Sequence, residues 1–113
     1  MNTYQMRLAK SQFDMIRNGQ KIIESRICDE KRQRLNIGDD VLFISRNDPK
    51  QTVLTKIKAL FRYATFDDLF TDFPPELFGN HSKSALIQDV REFYSVDEEK
   101  KYGVVGIKIE LVK

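Results

Sequence analysis

The chain contains a single cysteine, Cys28, a single histidine, His81, and no tryptophan. One thiol closes no internal disulfide, and one thiol with one imidazole falls short of a four-ligand zinc site, so a disulfide scaffold and a zinc module are both excluded. No metal and no other cofactor is expected. Long apolar runs are missing too: the longest, such as Val41 to Ile44, are a few residues, against the ~20 that a bilayer-crossing helix requires. The N-terminus, MNTYQMRLAK, lacks the basic-then-apolar order and small-residue cleavage site of a secretory signal. A cytoplasmic protein without a membrane partner is the expectation. No charge of one sign dominates, since 19 Lys and Arg face 17 Asp and Glu. That balance gives no general affinity for nucleic acid.

What remains is the composition of a folded domain. At 113 residues, division would leave halves too small to bury useful cores, so one domain over residues 1–113 is expected. Charge is segregated along it. From Lys21 to Arg34 five basic residues (Lys21, Arg26, Lys31, Arg32, Arg34) meet three acids, whereas Phe66 to Glu76 carries four acids and no base.

The hydrophobic period changes repeatedly. Tyr4, Met6 and Leu8 alternate with polar residues and predict a strand. Ser11 reads as the cap of a short helix, with Asp14 at the capping-box offset, Phe13 and Ile16 on one face, and Asn18 with Gly19 as a left-handed stop. A period of two follows, with Ile22, Glu24, Arg26 and Cys28 on one face and Lys21, Ile23, Ser25 and Ile27 on the other. Charged residues among apolar ones on such a strand suggest a place beside a cleft or at a barrel rim. The Gly38-Asp39 turn leads into the strand Val41 to Ser45, and beyond Asn47 to Pro49 the run Thr52 to Tyr63 completes a long hairpin. Thr65 caps a short helix broken by Phe73 to Pro75. Ser82 or Ser84 caps another, whose stripe is Leu86, Val90 and Phe93, widened by Ile87 and Tyr94. Asp97 to Lys101 reads as a solvated turn before a closing strand through Val105, Ile107, Ile109 and Leu111. Five strands and three helices in this order suggest an α+β fold with a small curved sheet or barrel.

The segment GQKIIESR, Gly19 to Arg26, resembles the G-x-K-x-[IV]-E-x-R signature of ASCH domains, and it follows a first helix as it does in that family. The Ile37-Gly38-Asp39 turn, the segment YATFDDLF from Tyr63 to Phe70, Phe93-Tyr94, and Tyr102 to Ile107 match in order and extend the resemblance over almost the whole chain. It implies a PUA-like small β-barrel of about five mixed strands, with two to three short helices at its ends and a cleft where the signature residues gather. RNA or nucleotide binding is the implied function. Some members are similar to ribonucleases, or to an amidohydrolase that removes an acyl group from a modified cytidine. Against that amidohydrolase pattern Lys21 matches, but Glu24 stands where a threonine is needed. Gly79 or Asn80 falls where a glutamate is needed, leaving Glu76 as a nearby substitute and Ser25 or Thr65 as sources of a hydroxyl.

Lys21, beside Ile22 and Ile23, is partly desolvated and suits a base, a nucleophile or a phosphate contact; a snorkelling surface lysine is the alternative. Glu24 and Arg26 leave the same strand face and can pair, either to hold the cleft's shape or to present a guanidinium to a ligand with Glu24 as orienting group or proton acceptor. Strict alternation sets Lys21 on the opposite face, so a twist or bulge after Gly19 is required to unite the three. Lys31, Arg32 and Arg34 form a basic connector that can follow a phosphate backbone or simply be solvated. Tyr63 and Tyr102 are candidates for base stacking, while Phe66 is expected in the core. Cys28 reads as a small buried side chain and His81 as a surface residue. Two classes of function follow: a binding module for RNA or a nucleotide, and a hydrolase using Lys21 and Glu24. A third, protein interaction through Phe66 to Glu76, also fits.

Overall fold

A computed structural model describes residues 2–112. Among them five strands form one mixed sheet in the order β1-β3-β4-β5-β2. The strands are β1 (Thr3–Leu8), β2 (Ile23–Ile27), β3 (Asp40–Ser45), β4 (Thr52–Tyr63) and β5 (Val104–Leu111). β1 runs parallel to β3, and the β3–β4, β4–β5 and β5–β2 pairs are antiparallel. The register between β4 and β5 shifts between Ile57 and Ala59. Such an irregularity bends and twists a long strand, which helps this sheet to curl. The result is a half-barrel, the open form of the expected PUA-like barrel.

Four helices accompany the sheet: α1 (Lys10–Arg17), α2 (Phe66–Asp72), α3 (Lys83–Arg91) and α4 (Val96–Tyr102). Thr65 caps α2 by accepting from the Asp68 amide, and Ser82 caps α3 by accepting from Ala85. Helix α1 differs from the reading at Ser11. It begins two residues earlier than a cap at Ser11 implies, after Ala9 with no side-chain cap, and Asp14 instead accepts from Lys10 at 2.7 Å and from Arg17 at 3.1 Å. An i,i+4 and an i,i+3 ion pair have displaced the capping box. Gly19, at φ 80°, supplies the left-handed stop. The segment Asp97 to Lys101 is not a solvated turn but most of α4. Ser95 and Glu98 form a reciprocal capping box there, the acids occupy the first turn and Lys100 and Lys101 the last, so the charge order suits the helix dipole.

Two cores lie on the two faces of the sheet. Met6, Leu8, Phe13, Ile16, Val41, Phe43, Ile57, Val105 and Ile107 pack inside the curl, where α1 covers them. Ile23, Ile27, Phe66, Leu69, Phe70, Phe78, Leu86, Val90 and Val104 form the second, under α2 and α3. Phe66 is fully buried, and Cys28 is buried in the first core. No helix among the described residues is long and apolar enough to cross a membrane.

Candidate functional site

The sheet order leaves β1 and β2 as its two edges. Curling brings these edges toward one another without joining them in a backbone ladder, and a cleft of about 420 Å³ occupies the seam. Arg7 and Leu8 of β1 line it from one side, and Glu24, Ser25 and Arg26 of β2 from the other. Ser11 and Gln12 of α1, Leu86 and Val90 of α3 and the segment Glu92 to Tyr94 also contribute to the wall. Arg26 spans the seam, its Nη2 donating to the Arg7 carbonyl at 3.2 Å.

Alternation along β2 explains the floor. Ile23 and Ile27 anchor one face of the strand in the second core, so Glu24, Arg26 and Cys28 turn to the inner face. Lys21 reaches the same side without the twist or bulge that a longer strand would have required. The strand begins only at Ile23, because the Gln20 and Lys21 amides both donate to the Met15 carbonyl and the Ile22 amide donates to Leu77. Outside the ladder, Lys21 is released from the period of two. Its Nζ lies 2.8 Å from Glu24 Oε1 and donates to Gln12 Oε1 at 2.6 Å. Arg26 Nε and Nη2 both lie 2.7 Å from Glu24 Oε2. Only 6% of Lys21 and 4% of Glu24 is exposed.

Burial alone would push the Glu24 carboxyl up, but the adjacent charges of Lys21 and Arg26 and their hydrogen bonds outweigh it and hold the group at about 2. Burial likewise opposes the charge on Arg26, and Glu24 and the Tyr94 phenol more than restore it, raising its pKa. Glu24 is therefore ionised at neutral pH with both oxygens engaged by cations. That is a poor proton acceptor and a strong positioning group. Two cations, buried Lys21 and half-buried Arg26, against one carboxylate leave the floor electropositive. Gly79 completes the packing beside Lys21. Its φ is +81°, and a Cβ there would sit 3.2 Å from Lys21 Cδ and from Met15 Sδ, so a side chain would press on the lysine stem.

The other sequence candidates are distributed differently. Lys31 and Arg34 are exposed in the connector, and Arg32 is tied to Asp29 at 2.9 Å. None of the three lines the cleft, yet the Tyr4 hydroxyl donates to the Arg34 carbonyl at 3.2 Å, so the connector lies further along the same seam. Tyr63 and Tyr102 pack against the second core and do not line the cleft. The Tyr63 hydroxyl donates to Asp72 at 2.6 Å, which pushes its pKa up. Glu76 is exposed and outside the cleft, and the Thr65 hydroxyl is engaged in capping, whereas Ser25 lines the cleft. His81 is exposed.

Gln12, Arg7, Arg46 and Phe93 belong to the site and were not singled out from the sequence as ligand-facing. Phe93 was placed on the apolar stripe of α3. The helix ends at Arg91, and Phe93 instead stands at the cleft wall, 58% exposed. A helical period extended past the true helix end caused that error. Gln12, in the first turn of α1, meets Lys21 only because the chain folds back on the helix, and no local pattern distinguishes it from Asp14 on the other side of Phe13.

An open five-stranded sheet with helices at its ends and a cleft along its seam defines an α+β domain of the PUA-like kind. The chain belongs to the ASCH domain family, whose model matches residues 6–113. It is similar to the crystal structure of the hypothetical protein PH0355, with 31% identity, a TM-score of 0.85 and coverage of 97% of this chain and 99% of that one. It is also similar to the solution structure of PF0455 from Pyrococcus furiosus, at 31% identity and a TM-score of 0.75, covering 98% of each chain. The ASCH domain of Lactobacillus crispatus shares the fold at 13% identity and a TM-score of 0.71, covering 97% of this chain and 79% of that one. None of the curated proteins matches the sequence.

Proposed function

We propose that the seam cleft binds a nucleotide, free or as one unit of an RNA strand, with its phosphate or a base edge held by the electropositive floor. The observation that carries this reading is the buried Lys21–Glu24–Arg26 network at the bottom of a preformed cleft. Donors fixed in place by a carboxylate lose little freedom when a ligand arrives, and a cleft of this size suits a ligand of nucleotide dimensions. Phe78, Leu86 and Val90 supply apolar wall, as such sites require. Lys31 and Arg34, further along the seam, extend the contact for a strand. The ionised, doubly paired Glu24 favours binding over acid–base catalysis as the role of this centre.

A titration followed by backbone amide resonances tests this without disturbing the buried charges. Nucleoside monophosphates and a short single-stranded RNA are added at low and at moderate salt. Resonances of Lys21, Ser25, Arg26 and Tyr94 are expected to move, and affinity for RNA to fall steeply with salt. Silence at millimolar nucleotide and low salt, or shifts confined to the opposite face, refutes the reading. Conversion of the added ligand during the titration places a hydrolase in this cleft instead.

A further inference from the structure

At the mouth of the cleft a side chain is exposed without an evident structural reason. Phe93 follows α3 and is 58% accessible. Its backbone is held: the Phe93 and Tyr94 amides donate to the Val90 carbonyl at 3.1 and 2.8 Å, and Tyr94 stacks on buried Phe66 with centroids 5.8 Å apart. The backbone that carries the ring is thus fixed by its neighbours. The Arg46 guanidinium lies over it, 5.3 Å from the centroid. Arg46 is also anchored, its amide donating to the Leu8 carbonyl at 2.8 Å.

A lone exposed phenylalanine is ordinary on a protein surface. This one lines a cleft and carries a cation on its ring. Neither Arg46 nor Arg7 makes an ion pair among the described residues, although both line the same cleft. Arg7 lies on β1, paired with Ile44, and Arg46 immediately follows the end of the neighbouring β3. The opposite wall, at the end of α3, carries the carboxylates Asp89 and Glu92. A phosphate therefore belongs on the β1–β3 side and an uncharged aromatic group on the α3 side, where Phe93 stands.

We propose that Phe93, with Arg46 over its ring, is a stacking platform for a nucleobase, and that Arg46 and Arg7 receive the phosphate attached to it. This deepens the nucleotide-cleft reading and rests on it. A ring on a fixed backbone, with a cation over one face, presents its other face to any base, so the platform selects for a nucleobase without selecting its identity. A free nucleotide and a nucleotide within single-stranded RNA present the same chemistry to it.

The test compares the wild type with Phe93→Ala, Phe93→Leu, Phe93→Trp and Arg46→Gln by calorimetry or anisotropy. The probes are AMP, UMP, ribose 5-phosphate and a single-stranded RNA octamer. Melting curves check that each variant folds, which an exposed position should allow. Phe93→Ala and Phe93→Leu should weaken nucleotide binding by roughly 5- to 150-fold and leave ribose 5-phosphate unaffected, while Phe93→Trp retains affinity. Arg46→Gln should weaken both nucleotide and ribose 5-phosphate. Loss for AMP and UMP assigns the platform to free nucleotides, and loss for the octamer alone assigns it to a strand. Unchanged nucleotide affinity in folded Phe93→Ala overturns the platform while the cleft reading survives. Absence of any nucleotide or RNA binding by the wild type overturns both.

Discussion

Replacing Glu24 by glutamine probes the charge network that organises the cleft. The drop of its pKa from an ordinary 4.5 to about 2, at roughly 1.4 kcal/mol for each tenfold change in proton affinity, corresponds to about 3 kcal/mol of stability that depends on the ionised carboxylate. A depressed folded-state pKa makes the sign definite. The contribution is complete above pH 4.5 or so, falls as pH drops through the interval from 4.5 to 2, and is almost gone below it. Glu24→Gln keeps the shape and removes the titration, leaving Lys21 and Arg26 buried beside a neutral amide. Urea unfolding of both proteins at a series of pH values separates this group from all the others, whose titrations cancel in the difference. The gap should be about 3 kcal/mol at pH 7 and should narrow to below ~1 kcal/mol by pH 2. A gap that is independent of pH would show that the carboxylate is not held ionised by its neighbours, and the account of the floor would be refuted.

Gly79→Ala places a side chain at positive φ and against the Lys21 stem. It should cost about 1–2 kcal/mol, read as a lowered melting temperature, and should shift the Lys21 resonances more than those of β3. Ser95→Ala removes the hydroxyl half of the capping box at α4, leaving the residue 95 amide free to donate to Glu98, and should cost about 1 kcal/mol in urea unfolding, with nucleotide binding unchanged. Arg91→Ala strips buried Glu99 of its 2.6 Å partner. It should destabilise by about 2–3 kcal/mol, and a second change, Glu99→Gln, should recover part of that loss in a double-mutant cycle.

Much of the architecture was legible in local pattern. Alternation marked four of the strands, an apolar run after a turn marked β3, and β4 was read over its full span, Thr52 to Tyr63. Oxygen-bearing caps at Thr65 and Ser82 marked α2 and α3. The misreadings were local competitions. At α1 an acid three residues after a serine fits a capping box, but two basic residues on the same helix are within reach of it and pair with it instead. At α4 the density of charge concealed a Ser-x-x-Glu cap that was present in the sequence.

The sequence by itself marked the pairing of Glu24 with Arg26, because residues two apart on a strand leave the same face and their charges are opposite. It also determined the family, the order of the five strands and three of the four helices, since hydrophobic period and capping are properties of short segments. Tertiary structure decided the rest. Whether Lys21 joins Glu24 depended on hydrogen bonds to Met15 and Leu77 that end the strand at Ile23. The cleft exists because strands remote in sequence become the two edges of one curled sheet. Arg7, Arg46 and Phe93 meet there from three separate segments, and no local period registers a contact made across a seam.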